Sequence, residues 1–311
     1  MSPDSKSSKI DRKIVLALQN RQSLSLKDFI VPGISHRSLF RQIRRMKREG
    51  KIRRWTVLVN PSALGLSEVV FLLAKTNPRE PKLLEEIKKE FTEELYGLYG
   101  ITGEFSLFGR FAYKSRRDFL EKLRDFDNLM AGTRLQRYEV WEGLDVFKEY
   151  GFPRETCEII SDNSRKVLAA IFKLGSGTDL PPTTIDLARE TGLSQPTVSR
   201  LIRSMQKERA ILGFSIDSNM DFATQAEIRL FLQLQVSPGE FHKVISHLIS
   251  LQEVISLYRT GHSYPLLAEF KVKNVVSYNK LLQSIYASQE GLVDTESMIV
   301  LEQIVHRSYN S

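Results

Sequence analysis

Cysteine is nearly absent from this chain, since Cys157 is the single one among 311 residues. One cysteine can form neither an intrachain disulfide nor a cysteine-based metal site. Long apolar runs are also missing, because no stretch approaches the roughly 20 residues that a membrane helix needs. The N-terminus is polar and rich in Ser and Lys, without the apolar core of a secretory signal. We therefore expect a short disordered arm at residues 1–9 and a cytoplasmic protein without membrane contacts.

Catalytic and cofactor motifs are missing as well. The sequence has no Gly-rich loop that would cradle a phosphate, no metal-ligand spacing and no nucleophile elbow. Its five histidines are scattered along the chain: His36, His242, His247, His262 and His306. We therefore predict that the protein is not an enzyme and that it has no catalytic residues, no metal site and no cofactor.

Positive charge is concentrated in the first half. The whole chain carries +8, but residues 1–155 hold 30 Lys and Arg against 21 Asp and Glu, so they carry +9 and residues 156–311 carry −1. Such an asymmetry favours a polyanionic partner that is contacted mainly by the first half.

Residues 184–205 have the pattern of a helix-turn-helix. Gly192 suits the left-handed position that ends a helix, and Ser194 is an N-cap residue for the next one. In that second helix, the apolar stripe at i, i+3, i+4 and i+7 consists of Val198, Leu201, Ile202 and Met205. The opposite face carries the residue types that contact base edges and phosphates in DNA, namely Gln195, Thr197, Arg200 and Arg203. We predict that this is a DNA-recognition helix rather than an ordinary helical hairpin.

A second, more basic copy of this pattern lies near the N-terminus. Its helices are predicted at 10–18, 24–30 and 36–49, and a wing strand at 52–59. Between Ser35 and Arg54 there are nine Lys or Arg and one acidic residue, Glu49. A solvated helix face normally mixes charge signs through i,i+4 pairs, so this one favours phosphate contacts. The predicted DNA contacts of this copy are His36, Arg37, Phe40, Arg41, Arg44, Arg45, Arg48, Arg53 and Arg54.

The remainder of each half follows a strand and helix order of βαββαβ, which indicates a ferredoxin-like sandwich. The two halves align at an offset near 159 residues, which indicates a tandem duplication. The predicted fold class is α+β, with two winged helix-turn-helix domains alternating with two ferredoxin-like domains. The expected boundaries are 10–62 for the first winged domain, 63–143 for the first sandwich, 144–162 for a linker, 163–220 for the second winged domain and 221–311 for the second sandwich.

These patterns resemble the Lrp/AsnC (feast/famine) transcription regulators. The second half matches through Leu187-Ala188, Gly192-Leu193-Ser194, Thr260-Gly261-His262 and the closing stretch from Gly291 to Leu301. The first half matches through Asp11–Ile14, Gly50–Arg54, Asn60-Pro61 and Leu64-Gly65. The resemblance covers nearly the whole chain, and it rests on the helix-turn-helix occurring together with this sandwich, twice.

The resemblance implies a mechanism and a set of partners. We expect a sequence-specific regulator of transcription that binds double-stranded DNA, forms a homodimer and is associated with a prokaryotic nucleoid. In this family the sandwiches assemble the protein, and an amino acid often binds between them. The corresponding loop residues are Gly103, Glu104, Gly261, His262 and Tyr264. The family has an aspartate in that loop, but this chain has Tyr264 at the corresponding position of one half and Ser106 in the other. The effector therefore either differs from an amino acid or is absent.

Two alternatives share parts of this pattern. Sirohaem decarboxylases have the same two-domain architecture in paired repeats, and they would use histidines and arginines around a tetrapyrrole. Of the five histidines, only His262 lies in a predicted ligand loop, and Arg110 on a predicted strand is the other candidate for a tetrapyrrole contact. A low-specificity architectural protein that coats DNA would account for the basic first helix. Gln195 and Thr197 on the second helix favour direct base contacts instead.

Overall fold

The computed structural model describes residues 3–19, 21–27, 29–75, 82–131, 137–218, 228–288 and 291–306. Its helices and strands, in chain order, are α1 Pro3–Leu18, α2 His36–Arg48, β1 Ile52–Val59, β2 Glu68–Ala74, α3 Lys82–Glu90, β3 Leu95–Ile101, β4 Leu107–Tyr113, α4 Arg116–Ala131, β5 Tyr138–Glu149, β6 Phe152–Pro153, α5 Asp162–Gly177, α6 Thr184–Thr191, α7 Gln195–Lys207, β7 Ile211–Ser218, β8 Ile228–Val236, α8 Phe241–Ser250, β9 Val254–Thr260, β10 Leu266–Val272, α9 Val275–Ser288 and β11 Leu292–His306.

The chain divides into two compact units, and each unit takes elements from both halves of the sequence. The chain up to Leu64 and the segment that begins at Thr156 form a helical unit with α1, α2, β1, α5, α6, α7 and β7. The segment from Gly65 to Glu155 and the one that begins at Ala226 form a sandwich unit with the remaining elements. The two halves are therefore combined within each unit rather than folded side by side.

The predicted helix-turn-helix of the second half is present. Thr183 and Asp186 form a capping box at the start of α6, and Gly192 ends that helix with a φ of +71°. Ser194 caps α7, because its hydroxyl accepts a hydrogen bond from the backbone N–H of Thr197. Local chemistry thus fixes both ends of the turn.

The two halves of the helical unit are joined through their wing strands. β1 pairs antiparallel with β7, from Ile52 opposite Ser218 to Val59 opposite Ile211. α5 packs on β1 and α1 packs on β7, so the first helix of each half covers the strand of the other half. The side chains of Trp55 and Ile216 accordingly lie together in the core that α1 and α2 form. Neither half has a complete core of its own.

Two predictions about the first half were wrong. Residues 24–30 form no helix over the part of them that the structure describes. The hydroxyls of Ser23 and Ser25 accept hydrogen bonds from the backbone N–H groups of Ser25 and Lys27, and such side chain to backbone bonds compete with a helix. The expected disordered arm is also mostly helical, because α1 begins at Pro3.

The sandwich unit contains two ferredoxin-like βαββαβ domains whose strands form one continuous sheet. The strand order is β2-β4-β3-β11-β8-β10-β9-β5, and β2 also pairs with β5, so these eight strands form a closed ring. Closure removes the free strand edges that an open sheet would expose. Two apolar clusters lie between the sheet and the helices α3, α4, α8 and α9, and a third fills the inside of the ring.

The last strand of each domain crosses into the other domain. β5 pairs with β2 up to Gly143 and then with β9, where Val146 lies opposite Tyr258. β11 pairs first with β8 and then with β3, where Val300 lies opposite Ile101. The linker predicted at 144–162 is therefore wrong over its first part, because β5 continues to Glu149 and turns back into β6. The sandwiches pair within one chain.

Among the residues that the structure describes, no helix combines the length and the apolar character that crossing a membrane requires.

Gly175 tests the contact between the two halves of the helical unit. A Cβ at this position of α5 would lie 2.2 Å from the carbonyl oxygen of Trp55 on β1, whereas a Cβ at Gly177 would meet nothing within 4 Å. We expect Gly175→Ala to lower the free energy of unfolding by about 1–3 kcal/mol through overpacking. Gly177→Ala, the matched control, should be neutral or stabilising by up to about 1 kcal/mol, because alanine is the better helix former. Urea denaturation checks both, and equal effects would contradict the close approach.

Candidate nucleic-acid interface and effector loops

The exposed face of α7 presents the polar side chains that the sequence predicted. Gln195, Arg200 and Arg203 are exposed, while Val198, Ile202 and Met205 on the other face are buried. This face borders an open groove of about 570 Å³, lined by Gln195, Pro196, Ser199, Arg200, Arg203, Ser204 and Lys207. Thr197 is only partly exposed, and its hydroxyl lies 2.8 Å from that of Ser194, so it belongs to the helix cap.

Helix α2 exposes a strongly basic face. His36, Arg37, Arg41, Arg44 and Arg48 are exposed, as is Arg53 on β1, while Leu39, Ile43 and Met46 are buried. Over its described residues, the structure records no ion pair for any of these five arginines. Guanidinium groups with no carboxylate recorded within ion-pair distance over these residues make this face of α2, with the adjoining Arg53, a candidate for phosphate contacts.

Arg45 occupies a different place from its predicted one. Its guanidinium lies 2.5 and 2.6 Å from the two carboxylate oxygens of Asp11 on α1, and Asp11 is fully buried. Lys51 approaches the same carboxylate at 3.0 Å, and Glu49 lies 3.6 Å from Arg45. The sequence grouped Arg45 with the phosphate contacts, but the structure uses it to hold α2 against α1.

Arg54 is likewise engaged by the second half of the chain. Its guanidinium lies 3.4 Å from the carboxylate of Asp217 on β7. Burial raises the pKa of Asp217 even though Arg54, Arg53 and Lys47 oppose that shift. The ammonium of Lys47 donates to the carbonyl oxygen of Ser176. Burial lowers the pKa of Lys47. Arg54 thus links the two wing strands β1 and β7, and Lys47 links α2 to α5.

A cleft in the helical unit brings α2 next to the second half. It has a volume of about 580 Å³ and is lined by Arg44, Arg48, Thr178, Asp179, Leu180, Pro181, Pro182, Thr183 and Asp186. Arg44 and Arg48 therefore face the loop that precedes α6. At the other end of α2, the ring of Phe40 packs against the ring of His36 at 4.5 Å between centroids, and Phe40 is only partly exposed.

The predicted effector residues lie in two separate loops, and each loop contacts the last strand of the other domain. The backbone N–H of Thr102, next to Gly103, donates to the carbonyl oxygen of Ile299 on β11. The backbone N–H of Gly261 donates to the carbonyl oxygen of Glu142 on β5. These two loops occupy equivalent positions in the two repeats.

The two loops differ in their side chains. Glu104 forms an ion pair with Arg137 at 2.6 Å. His262 instead stacks on Trp141, with 4.5 Å between ring centroids, and its Nε2 lies 4.0 Å from the carboxylate of Glu139. The sequence did not place Glu139 or Trp141 in this site, because they belong to the other half of the chain.

A carboxylate missing from the loop sequence is supplied by another strand. The hydroxyl of Tyr264 donates to the carboxylate of Asp294 at 2.6 Å, and this hydrogen bond raises the pKa of Tyr264 to about 12. The same bond lowers the pKa of Asp294. The sequence showed Tyr264 where the family has an aspartate, but only the fold brings Asp294 to that side chain.

Two kinds of sequence comparison find similarity to transcription regulators. A model of the Lrp/AsnC ligand binding domain matches residues 229–309. The HTH-type transcriptional regulator FL11 of Pyrococcus abyssi is 27% identical over 117 residues, which are 38% of this chain and 76% of that protein. The HTH-type transcriptional regulator LysM of Sulfurisphaera tokodaii is 28% identical over 142 residues, which are 46% of this chain and 95% of that protein.

The fold itself is shared along nearly the whole chain with a solved structure. The sirohaem decarboxylase NirDL superposes with a TM-score of 0.62, covering 96% of this chain and 93% of that one, at 14% sequence identity. Identity at that level shows a common fold and carries no activity with it. Residues 229–309 thus carry a domain of the Lrp/AsnC ligand binding type, and the chain is similar in part to HTH-type transcriptional regulators.

Proposed function

We propose that this protein is a sequence-specific DNA-binding regulator of transcription, with a helix-turn-helix, α6 and α7, in its second half and a basic recognition helix, α2, in its first half. The observation that carries the proposal is the exposure of polar and basic faces on both α2 and α7, within one unit that the β1–β7 pairing holds together. Recognition helices of this kind contact bases through a few polar side chains and contact phosphates through arginine and lysine.

The charge distribution suggests a division of work between the two helices. Arg37, Arg41, Arg44 and Arg48 on α2 would contact phosphates, which contribute affinity for any sequence. Gln195, Arg200 and Arg203 on α7 would contact base edges, which contribute specificity. Because the two helices differ, one chain would bind a DNA site that lacks two-fold symmetry. A homodimer, as the family leads us to expect, would restore a palindrome.

The two effector loops are the proposed sites of small-molecule control. In the second domain the candidate contacts are His262, Trp141 and Glu139, with Tyr264 and Asp294 at the base of the loop. In the first domain Glu104 is already paired with Arg137, so its carboxylate is less available to an ammonium group. We therefore propose that an effector binds at the second loop, where the carboxylates of Glu139 and Asp294 have no ion pair with a lysine or arginine over the described residues.

Selection of bound duplexes from a random DNA pool tests the proposal. Near physiological salt, we expect enrichment of a defined motif. Retention without enrichment would favour the architectural DNA-coating protein. If no DNA is retained, the regulator is refuted and a tetrapyrrole-binding assay becomes the next step, because the fold is that of a sirohaem decarboxylase. Arg110, which could have contacted a tetrapyrrole, is only 3% exposed inside the sheet ring.

Arg44 and Arg45 are adjacent in sequence but should behave differently. We expect Arg44→Ala to leave thermal stability unchanged and to weaken binding to all DNA sequences alike, flattening the slope of log affinity against log salt by about 1. Arg45→Ala should instead lower the free energy of unfolding by about 1–3 kcal/mol, because it removes a partner of the buried Asp11. Thermal melts and salt titrations of DNA binding separate the two. Equal behaviour would contradict the assignment of these side chains.

Arg200 tests the proposed base contacts of α7. On the selected motif, Arg200→Ala should cost on the order of 1–3 kcal/mol of binding free energy. On a scrambled duplex of the same length and composition the loss should be much smaller. Competition titrations with both duplexes measure the difference, with Arg44→Ala as the variant that should lose affinity equally on both. An equal loss for Arg200→Ala would show that Arg200 contacts only the DNA backbone.

A further inference from the structure

The ring of the sandwich unit encloses charged side chains as well as apolar ones. Arg110 on β4 and Glu269 on β10 are 3% and 2% exposed. β4 begins at Leu107 and β10 begins at Leu266, so each of these residues is the fourth in its strand. Their separation of 159 residues is also the offset of the repeat. Arg110 and Glu269 therefore occupy equivalent positions in the two domains, with opposite charge.

These two side chains face each other across the domain boundary. The guanidinium of Arg110 lies 3.9 Å from the carboxylate of Glu269 and 3.8 Å from that of Glu149. Glu269 is also 3.3 Å from the guanidinium of Arg229 and accepts a hydrogen bond from Ser256 at 3.1 Å. Glu149, Arg110, Glu269 and Arg229 thus follow one another with alternating sign, and their charges sum to zero. Pairing of this kind lowers the desolvation free energy that burial of charged groups costs.

The apolar residues around this pair are close to symmetric. Phe71 packs against Tyr258 at 4.9 Å between ring centroids, and Tyr99 packs against Phe231 at 5.2 Å. Phe71 and Phe231 are equivalent in the repeat, and so are Tyr99 and Tyr258. Two copies of the same domain could thus reproduce the aromatic contacts well. They could not reproduce the contact between Arg110 and Glu269.

We propose that the opposed charges of Arg110 and Glu269 select the pairing partner of each sandwich domain. A first domain that met another first domain would bring two copies of Arg110 together inside a closed ring. A second domain that met another second domain would bring two copies of Glu269 together. Each domain also carries a counter-charge of its own, Glu149 beside Arg110 and Arg229 beside Glu269, so the net charge is zero in every pairing. Only the pairing of a first with a second domain sets Arg110 against an opposite charge from the other domain, and a direct contact of like charges in a buried interior is unfavourable. The surface that each domain presents fits the other repeat and rejects a second copy of itself.

The like-charge contact can be created inside the intact chain. Glu269→Arg places arginine at both equivalent positions and so creates a like-charge contact across the domain boundary. Glu269→Gln removes the charge and keeps the size, and Arg110→Met does the same on the other side. We expect Glu269→Arg to lower the melting temperature by roughly 10 °C or more below that of Glu269→Gln. In the cycle of Arg110→Met, Glu269→Gln and the double variant, we expect a coupling of at least about tenfold in the unfolding equilibrium constant.

An exposed ion pair in the same unit is the matched control. Arg116 and Glu142 are closer to each other, at 2.6 Å, but their side chains are 57% and 39% exposed. Glu142→Arg and Glu142→Gln should therefore melt within about 3 °C of each other, because solvent screens the like-charge contact. The proposal is overturned if Glu269→Arg is no less stable than Glu269→Gln, or if the effects at Arg110 and Glu269 are additive. If Glu269→Arg does not fold, the neutral cycle decides alone.

Discussion

Each of the two units is held together internally by hydrogen bonds between strands from different halves of the chain. β1 pairs with β7 in the helical unit, and β5 with β9 and β11 with β3 in the sandwich unit. An unpaired strand would leave a row of backbone N–H and C=O groups without partners, next to apolar side chains that need cover. The fold therefore depends on both halves being present, and neither half has the strands or the core to form a unit alone.

This constraint gives the duplicated chain a freedom that a homodimer does not have. In a homodimer every substitution appears on both sides of the two-fold axis, so an arginine at the centre of the interface meets a second arginine. In a tandem repeat the two positions change independently. Arg110 with Glu269 shows this in the core, and the basic α2 beside the more polar α7 shows it on the surface. The scaffold stays nearly symmetric while its charges do not.

The sequence predicts a structural feature well when the residues that form it lie close together along the chain, and poorly when they lie far apart. Local signals were sufficient for α6, the turn at Gly192 and α7, because the caps and the apolar stripe lie within a few residues of each other. In contrast, the extension of β5 to Glu149 depends on β9, more than a hundred residues away, and no local pattern reports such a partner.

The same distinction applies to the candidate site. Exposure of Arg37, Arg41 and Arg44 follows from the helical period, because the buried stripe of α2 fixes which face is outside. The roles of Arg45 and Asp294 do not follow from it, since their partners Asp11 and Tyr264 lie on other elements. The nine basic residues between Ser35 and Arg54 thus fall into two groups. One group is free to meet phosphates, and the other, with Arg45, Lys47, Lys51 and Arg54, is already used to hold the helices and wing strands in place.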